Sequence, residues 1–159
     1  PDYQNWPDFR NKDKSNSETV PFMHGWCSGA PGIGFSRLEL SRIINSPQFL
    51  IDIENSIEFS KNFKAIPNFR DHLCCGYSSQ IEFLIEASIV LKRPELLKEA
   101  RRQFSFIINR AEKNGRYTLQ VDESKSIFTP GLFTGLAGIG YVALRIAAGD
   151  KLSTILAPR

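Results

Sequence analysis

Apolar residues return along the chain at helical intervals in five stretches, separated by breaks rich in Pro, Gly and Asn. From Pro31, a residue favoured in a first helical turn, Ile33, Leu38, Leu40, Ile43 and Ile44 recur until Asn45-Ser46-Pro47, which predicts a first helix. A second is predicted from Ile51 to about Phe63, where Ile53, Ile57 and Phe63 alternate with Asp52, Glu54, Glu58 and Lys61 before Pro67-Asn68. That mixture reads as amphipathic and outward-facing. The third, from about Tyr77 to Leu91, carries Ile81, Phe83, Leu84, Ile85, Ile89, Val90 and Leu91 and so little polar surface that burial on most sides is expected. Pro94 precedes a fourth, Glu95 to about Lys113, with Leu96, Leu97, Ala100, Phe104, Ile107 and Ile108 opposite Lys98, Arg101 and Arg102. Asn114-Gly115 ends it, and Arg116 to Val121 alternates as a short strand-like excursion would. The fifth runs from about Gly135 to Ala148, ahead of a short tail. Pro1 to Pro21 holds no sustained period and is expected to be loop or linker.

The order of these helices carries a second pattern. Apolar helices that begin at glycines (Gly29 and Gly32, then Gly76, then Gly135 and Gly138) alternate with charged helices that do not. Gly29 and Gly76 are 47 residues apart, Gly76 and Gly135 are 59 apart, and such spacing suits repeated helix pairs. Alternating inner and outer helices build either a ring or a solenoid, and the fold class expected is all-α. Ordinary turn glycines would leave the same residues in place. The run Gly135-Leu-Ala-Gly-Ile-Gly140 lacks the lysine of a phosphate-binding loop and follows no predicted strand, so helix packing explains it better.

Composition narrows the class. At 159 residues, 42% hydrophobic and 23% charged, the chain suits one ordinary core, and its net charge of +3 comes from basic residues spread along the sequence. A nucleic-acid partner is therefore not expected. No apolar run approaches the roughly 20 residues of a membrane span, and no leader pattern opens the chain. An odd count of three cysteines argues against a disulfide framework and points to a reducing, cytoplasmic setting. The chain opens at Pro1 and its only methionine is Met23, which reads as part of a longer polypeptide.

The three thiols are the main chemical candidates. Cys27 stands in Trp26-Cys27-Ser28-Gly29-Ala30-Pro31-Gly32, and Cys74 and Cys75 are adjacent in His72-Leu73-Cys74-Cys75-Gly76. All three precede inner helices, whose positive ends favour thiolate over thiol. Adjacent cysteines face one ion together only from an irregular segment, which Gly76 permits. Three thiolates without a fourth ligand describe an open zinc site, since structural zinc is normally closed by four. On spacing alone a packing role is equally open, because free cysteine behaves as a small hydrophobe. His24 and His72, the only histidines, each lie within three residues of a cysteine and are weak candidates for proton transfer.

Three motifs in order, Trp-Cys-Ser-Gly-Ala-Pro-Gly-Ile-Gly at 26 to 34, Leu-Cys-Cys-Gly at 73 to 76 and Leu-Phe-Thr-Gly-Leu-Ala-Gly-Ile-Gly-Tyr at 132 to 141, resemble the lanthionine synthetase C-like family. More narrowly, the chain resembles the C-terminal end of a class II lanthipeptide synthetase, in which a dehydratase precedes the cyclase domain. The resemblance implies a partial α/α toroid of inner and outer helix pairs, with residues 22–159 the C-terminal part of the cyclase domain and 1–21 a linker from a longer chain. It implies Zn2+ held by Cys27, Cys74 and Cys75, the last at a position where many relatives carry histidine. The three-thiolate set, net −1 with a divalent cation, should leave a substrate thiolate more nucleophilic than a site with one histidine would. The implied reaction is addition of a peptide cysteine thiolate to dehydroalanine or dehydrobutyrine, the partner being a dehydrated precursor peptide. Neither His24 nor His72 matches the family's acid/base position, and those groups belong to helices upstream. The alternative is a non-catalytic zinc-binding helical-repeat module, or a partial cyclase subunit inactive without an upstream portion in the same or a companion chain. A partial ring with uncovered flanks would associate or be marginally stable.

Overall fold

A computed structural model describes residues 4–8, 22–62, 69–119 and 129–157. Among them are five α-helices, α1 (Ala30–Leu40), α2 (Pro47–Lys61), α3 (Tyr77–Val90), α4 (Pro94–Asn114) and α5 (Leu136–Ala148), then a 3-10 turn, Gly149–Lys151, and no strand. The chain is all-helical in these parts, as the apolar periodicity predicts.

α3 is the centre against which the other helices pack. Every residue from Tyr77 to Ser88 is buried, including Ile81, Phe83, Leu84 and Ile85. Each fully buried Leu, Ile or Phe contributes about 1.5–3 kcal/mol relative to exposure, so this helix anchors the core. α1 presses Phe35 and Leu38 inward, with the Phe35 ring edge-on to Phe83 at 5.5 Å. Gly34 allows the approach, because a Cβ there would run into the Phe83 ring and the Ser56 side chain.

α2 and α4 flank this layer, each with one buried face and one charged face. On α2 the buried side is Asp52, Ile53, Ser56, Ile57 and Ser60. Asp52 is held by Arg37 Nε at 2.8 Å and by Gln48 Nε2 at 2.9 Å, which joins α1 to α2. Gln103 of α4 donates to the Ser60 carbonyl of α2 at 2.8 Å. α4 ends at Gly115, whose φ of 70° supplies the left-handed turn that stops a helix. Its last turn presents Arg110 to the loop before α3.

Three expectations need correction. α1 stops at Leu40, where the Ser41 hydroxyl turns back onto the Leu38 carbonyl, so Ile43 and Ile44 lie beyond it and are 83% and 49% exposed. α2 begins at Pro47, four residues before Ile51, because proline at the first helical position starts a helix as readily as it ends one. Residues 116–119 form no strand, although the Asp71 N–H donates to the Thr118 carbonyl and the Thr118 N–H to the Asp71 carboxylate. Single pairings of that kind do not extend into a ladder. Gln120 and Val121, the Phe63 end of the second predicted helix, Pro67-Asn68, and residues 1–3 and 9–21 of the predicted linker lie outside the described residues.

α1, α3 and α5 are capped by Gly29, Gly76 and Gly135, whereas α2 and α4 are preceded by Ser46 and Arg93. The alternation read from the sequence is therefore present in the helix starts.

Candidate metal centre

The loops entering α1, α3 and α5 lie side by side. Each cap glycine meets the carbonyl of the residue six positions earlier, Gly29 with Met23, Gly76 with Arg70 and Gly135 with Thr129, where a Cβ would overlap the oxygen. The same contact recurs three residues on, between Gly32 and Trp26 and between Gly138 and Leu132. Ser79 takes that place in the middle loop and donates its hydroxyl to the Gly76 carbonyl at 2.9 Å.

Backbone hydrogen bonds tie the loops in chain order. The Trp26 N–H donates to the Cys74 carbonyl at 2.8 Å, and the Cys74 N–H donates to the Phe133 carbonyl at 2.8 Å. Trp26 and Phe133 also stack, with ring centroids 5.6 Å apart and planes at 18°. Their indole edge reaches the C-terminal tail, where Trp26 Nε1 donates to the Leu156 carbonyl at 3.0 Å.

This alignment brings the three cysteines together. Cys27 Sγ lies 2.6 Å from Cys75 Sγ, and Cys74 Sγ lies 3.1 Å from Cys75 Sγ. All three are free, with Cys27 exposed and the other two half-buried. Among the described residues they are the one group of three or more His, Cys, Asp or Glu side chains able to share an ion, their sulfurs all within 4.8 Å of one another.

The electrostatics of the cluster suit a cation. Burial pushes the Cys75 thiol well above its ordinary range, and the neighbouring Cys27 and Cys74 sulfurs push it further. Burial likewise raises Cys74. Without positive charge nearby, ionising several of these thiols together is costly; a divalent cation reverses that balance. Three thiol sulfurs offer the donor type zinc favours, and since zinc–sulfur bonds of about 2.3 Å set tetrahedral neighbours about 3.8 Å apart, the pairs at 2.6 and 3.1 Å would spread to take such an ion.

The supporting residues hold the cysteine pair from behind. His72 is buried, and its Nδ1 accepts the Cys75 N–H at 3.2 Å. Burial, followed by the nearby Arg70 charge, lowers its pKa, which favours the neutral ring that can accept. One carboxylate oxygen of the buried Asp71 takes the Thr118 N–H at 2.7 Å, and the other takes Arg110 of α4. Burial raises the Asp71 carboxyl, against the pull of Thr118 and Arg110. Arg110 also donates to the Phe69 carbonyl at 3.1 Å, so α4 clamps the loop at Phe69 and Asp71, one residue either side of Arg70.

Of the sequence candidates, then, Cys27, Cys74 and Cys75 converge. His72 lies behind the cluster with one ring nitrogen engaged by backbone, and His24 packs its ring edge-on to Phe59 at 5.3 Å and against Phe69 at 5.6 Å. Burial lowers the His24 pKa. Gly25 and Asp71 went unnoticed in the sequence. The signal for Gly25 was its place two residues before Cys27, in a loop that must pass another backbone closely.

A family model described as "Lanthionine synthetase C-like protein" matches residues 1–157. No curated protein matches the chain.

Proposed function

The chain belongs to the lanthionine synthetase C-like family, and on that footing we propose that it forms thioether rings in a dehydrated precursor peptide, with Zn2+ held by Cys27, Cys74 and Cys75. The observation that carries this reading is the convergence of three thiols from two loops that share backbone hydrogen bonds. Zinc in such a site supplies Lewis acidity, lowering the pKa of a substrate thiol that is otherwise mostly protonated near neutral pH. In the ring-forming step the peptide thiol gives up its proton and its sulfur bonds to the β-carbon of dehydroalanine or dehydrobutyrine. The π bond of the C=C unit breaks with its electron pair passing to the α-carbon, and the α-carbon takes a proton, leaving a Cα–Cβ single bond.

The chain's own residues contribute orientation. The Trp26 N–H and the Phe133 carbonyl hold Cys74 from both sides, and the His72 ring fixes the Cys75 amide. Cys27 is the exposed member, so the side from which substrate approaches is its side. We assign the finer identity to a class II synthetase, residues 22–159 being the C-terminal part of its cyclase domain, a partial α/α toroid at work in the cytoplasm. The glycine-capped alternation of α1, α3 and α5 supports the ring reading. The proton for the α-carbon is assigned to a group contributed by an upstream portion, which makes the chain by itself a zinc-bearing part of the site.

The test is zinc content together with cyclisation of a dehydrated precursor peptide, in the chain alone and joined to its upstream portion. Cys27→Ala and Cys75→Ala should each abolish tight zinc binding and ring formation. Unchanged zinc and unchanged rings in either variant would overturn the assignment.

A further inference from the structure

The three loops share one template, and the loop bearing Cys27 departs from it in how it closes. In the second loop the Tyr77 N–H donates to the Arg70 carbonyl at 2.9 Å, and in the third the Leu136 N–H donates to the Thr129 carbonyl at 2.9 Å. Each bond closes the loop from the residue after the cap glycine back to the residue six before that glycine. The corresponding pair in the first loop is Ala30 and Met23. There the Ala30 N–H donates to Asn5 Oδ1 at 2.8 Å, and Asn5 Nδ2 donates to the Met23 carbonyl at 2.7 Å. The amide of Asn5 is inserted where the other two loops close on themselves.

The backbone registers the difference. Gly76 and Gly135 have φ of −117° and −133°, whereas Gly29 has φ of +128°, with ψ near 180° in all three. The peptide before Gly29 is turned over, and the first loop is braced instead by the Gly25 N–H to the Ser28 carbonyl at 3.2 Å. Only glycine adopts that φ without strain. Cys27 lies within this altered turn, four residues after Met23 and three before Ala30. It occupies the position that Cys74 and Phe133 hold in the other loops, yet it is the exposed thiol of the three and sits against Cys75 at 2.6 Å.

We propose that Asn5 is a positioning residue for the metal centre: by bridging Met23 and Ala30 it holds the Cys27 loop open in the conformation that presents Cys27 to Cys75. Its side chain is satisfied for this role, since Oδ1 also accepts the Trp6 N–H at 2.8 Å and is thereby fixed in orientation. The segment is further held by the pairing of Pro7 with Phe22. A side chain outside the motifs therefore sets the geometry of the most accessible ligand. This rests on the zinc reading, but the geometric part is testable without metal.

The experiment compares Asn5→Ala and Asn5→Asp with the wild type as full chains. Zinc affinity is measured by chelator competition, and Co2+ substitution reports sulfur ligation through its sulfur-to-metal charge-transfer band. In a Cys74→Ser background, the rate at which diamide links Cys27 to Cys75 in the metal-free protein reports their proximity. Asn5→Ala should weaken zinc binding about 10- to 100-fold, as loss of a group supporting a ligand does, lower the charge-transfer intensity and slow the link. Asn5→Asp keeps both acceptor contacts but sets a carboxylate oxygen against the Met23 carbonyl, two acceptors that repel, so it should also lose zinc affinity, charge-transfer intensity and linking rate. A role confined to stability would lower the melt of both variants and leave the band and the linking rate of the folded protein intact. That result, or zinc affinity within twofold of wild type with unchanged linking, overturns the proposal, as does failure of both variants to fold. A wild type that binds no metal while the variants link more slowly would sink the zinc reading and leave the role of Asn5 standing.

Discussion

A Cβ on Gly25 would stand 2.5 Å from the Cα of Cys75 and 2.8 Å from the Cys74 carbonyl oxygen, so the first loop touches the cysteine pair with no space for a side chain. Both neighbours are backbone, which cannot swing aside as the end of a long side chain can. Gly25→Ala must therefore separate the two loops by some tenths of an ångström or more. The expected cost is about 1–3 kcal/mol, the range for overpacking a filled site. Because the Trp26 N–H to Cys74 carbonyl bond sits beside this contact, zinc affinity should fall with it. Urea midpoints and chelator competition read both effects, and a variant matching wild type in each would show that the loops tolerate separation.

Trp26 joins the metal loop to the C-terminal tail, and its two contacts are separable. Trp26→Phe keeps an aromatic ring against Phe133 and removes the donor to Leu156. The tail has other holds, with Tyr141 donating to the Ser153 carbonyl at 2.8 Å and accepting the Ile155 N–H at 3.0 Å. A single hydrogen bond contributes about 0.5–1.5 kcal/mol net, so a small stability loss is expected, with zinc affinity within a few-fold of wild type. Amide exchange at Leu156 and Ala157 should quicken. Unchanged exchange there would mean that the indole bond does not restrain the tail.

The five helices were legible because Pro31, Pro94, Gly115 and the cap glycines mark their ends with local and strong backbone effects, whereas Pro47, which starts α2, was taken as the break after α1. Cys27 and Cys74 were legible because they sit at equivalent points of repeated loops, two residues before the cap glycine, and Cys75 because it adjoins Cys74. Ile43 and Ile44 misled, since periodicity alone does not distinguish a last helical turn from an exposed apolar turn beyond it. Asn5 was hidden in a polar stretch of no period, and its role depends on a contact 25 residues away in sequence with Ala30. Arg145 carried no reading in the sequence. Its meaning lies in Glu82 and Glu86, four apart on the one face of α3 that meets it, a pairing between helices that neither sequence segment displays alone.

Arg145 is buried to 1% exposure, with Nε 2.9 Å from Glu82 Oε1 and Nη2 2.6 Å from Glu86 Oε2. Its Nη1 turns to the Gly149 and Leu152 carbonyls, which fastens the tail to α5. Replacing it with methionine keeps much of the volume and leaves two carboxyl groups buried without their cation. Breaking a buried pair in this way costs about 3–5 kcal/mol, a large part of a typical domain's stability. Arg145→Met should therefore fold poorly, and adding Glu82→Gln and Glu86→Gln should restore part of the loss. A single variant as stable as wild type would mean that the cluster contributes little.

Burial pushes the Glu82 carboxyl up to about 7, against the opposing pull of Arg145, from an ordinary value of 4.5 in the unfolded chain. The folded state then holds this proton more tightly than the unfolded state does. The group's contribution to stability is complete below pH 4.5, declines as pH rises from about 4.5 to 7, and is gone above that. The slope from one such group is at most about 1.4 kcal/mol per pH unit. Other groups titrate over the same range, so the informative quantity is the difference between wild type and Glu82→Gln. Glutamine cannot lose the proton, and its amide can still accept from Arg145 through its oxygen. Urea midpoints from pH 4.5 to 8 should show wild type losing stability relative to Glu82→Gln as pH rises to about 7, with a constant gap beyond. A gap that stays flat across the whole window would place Glu82 as an ordinary ionised carboxylate in its pair with Arg145.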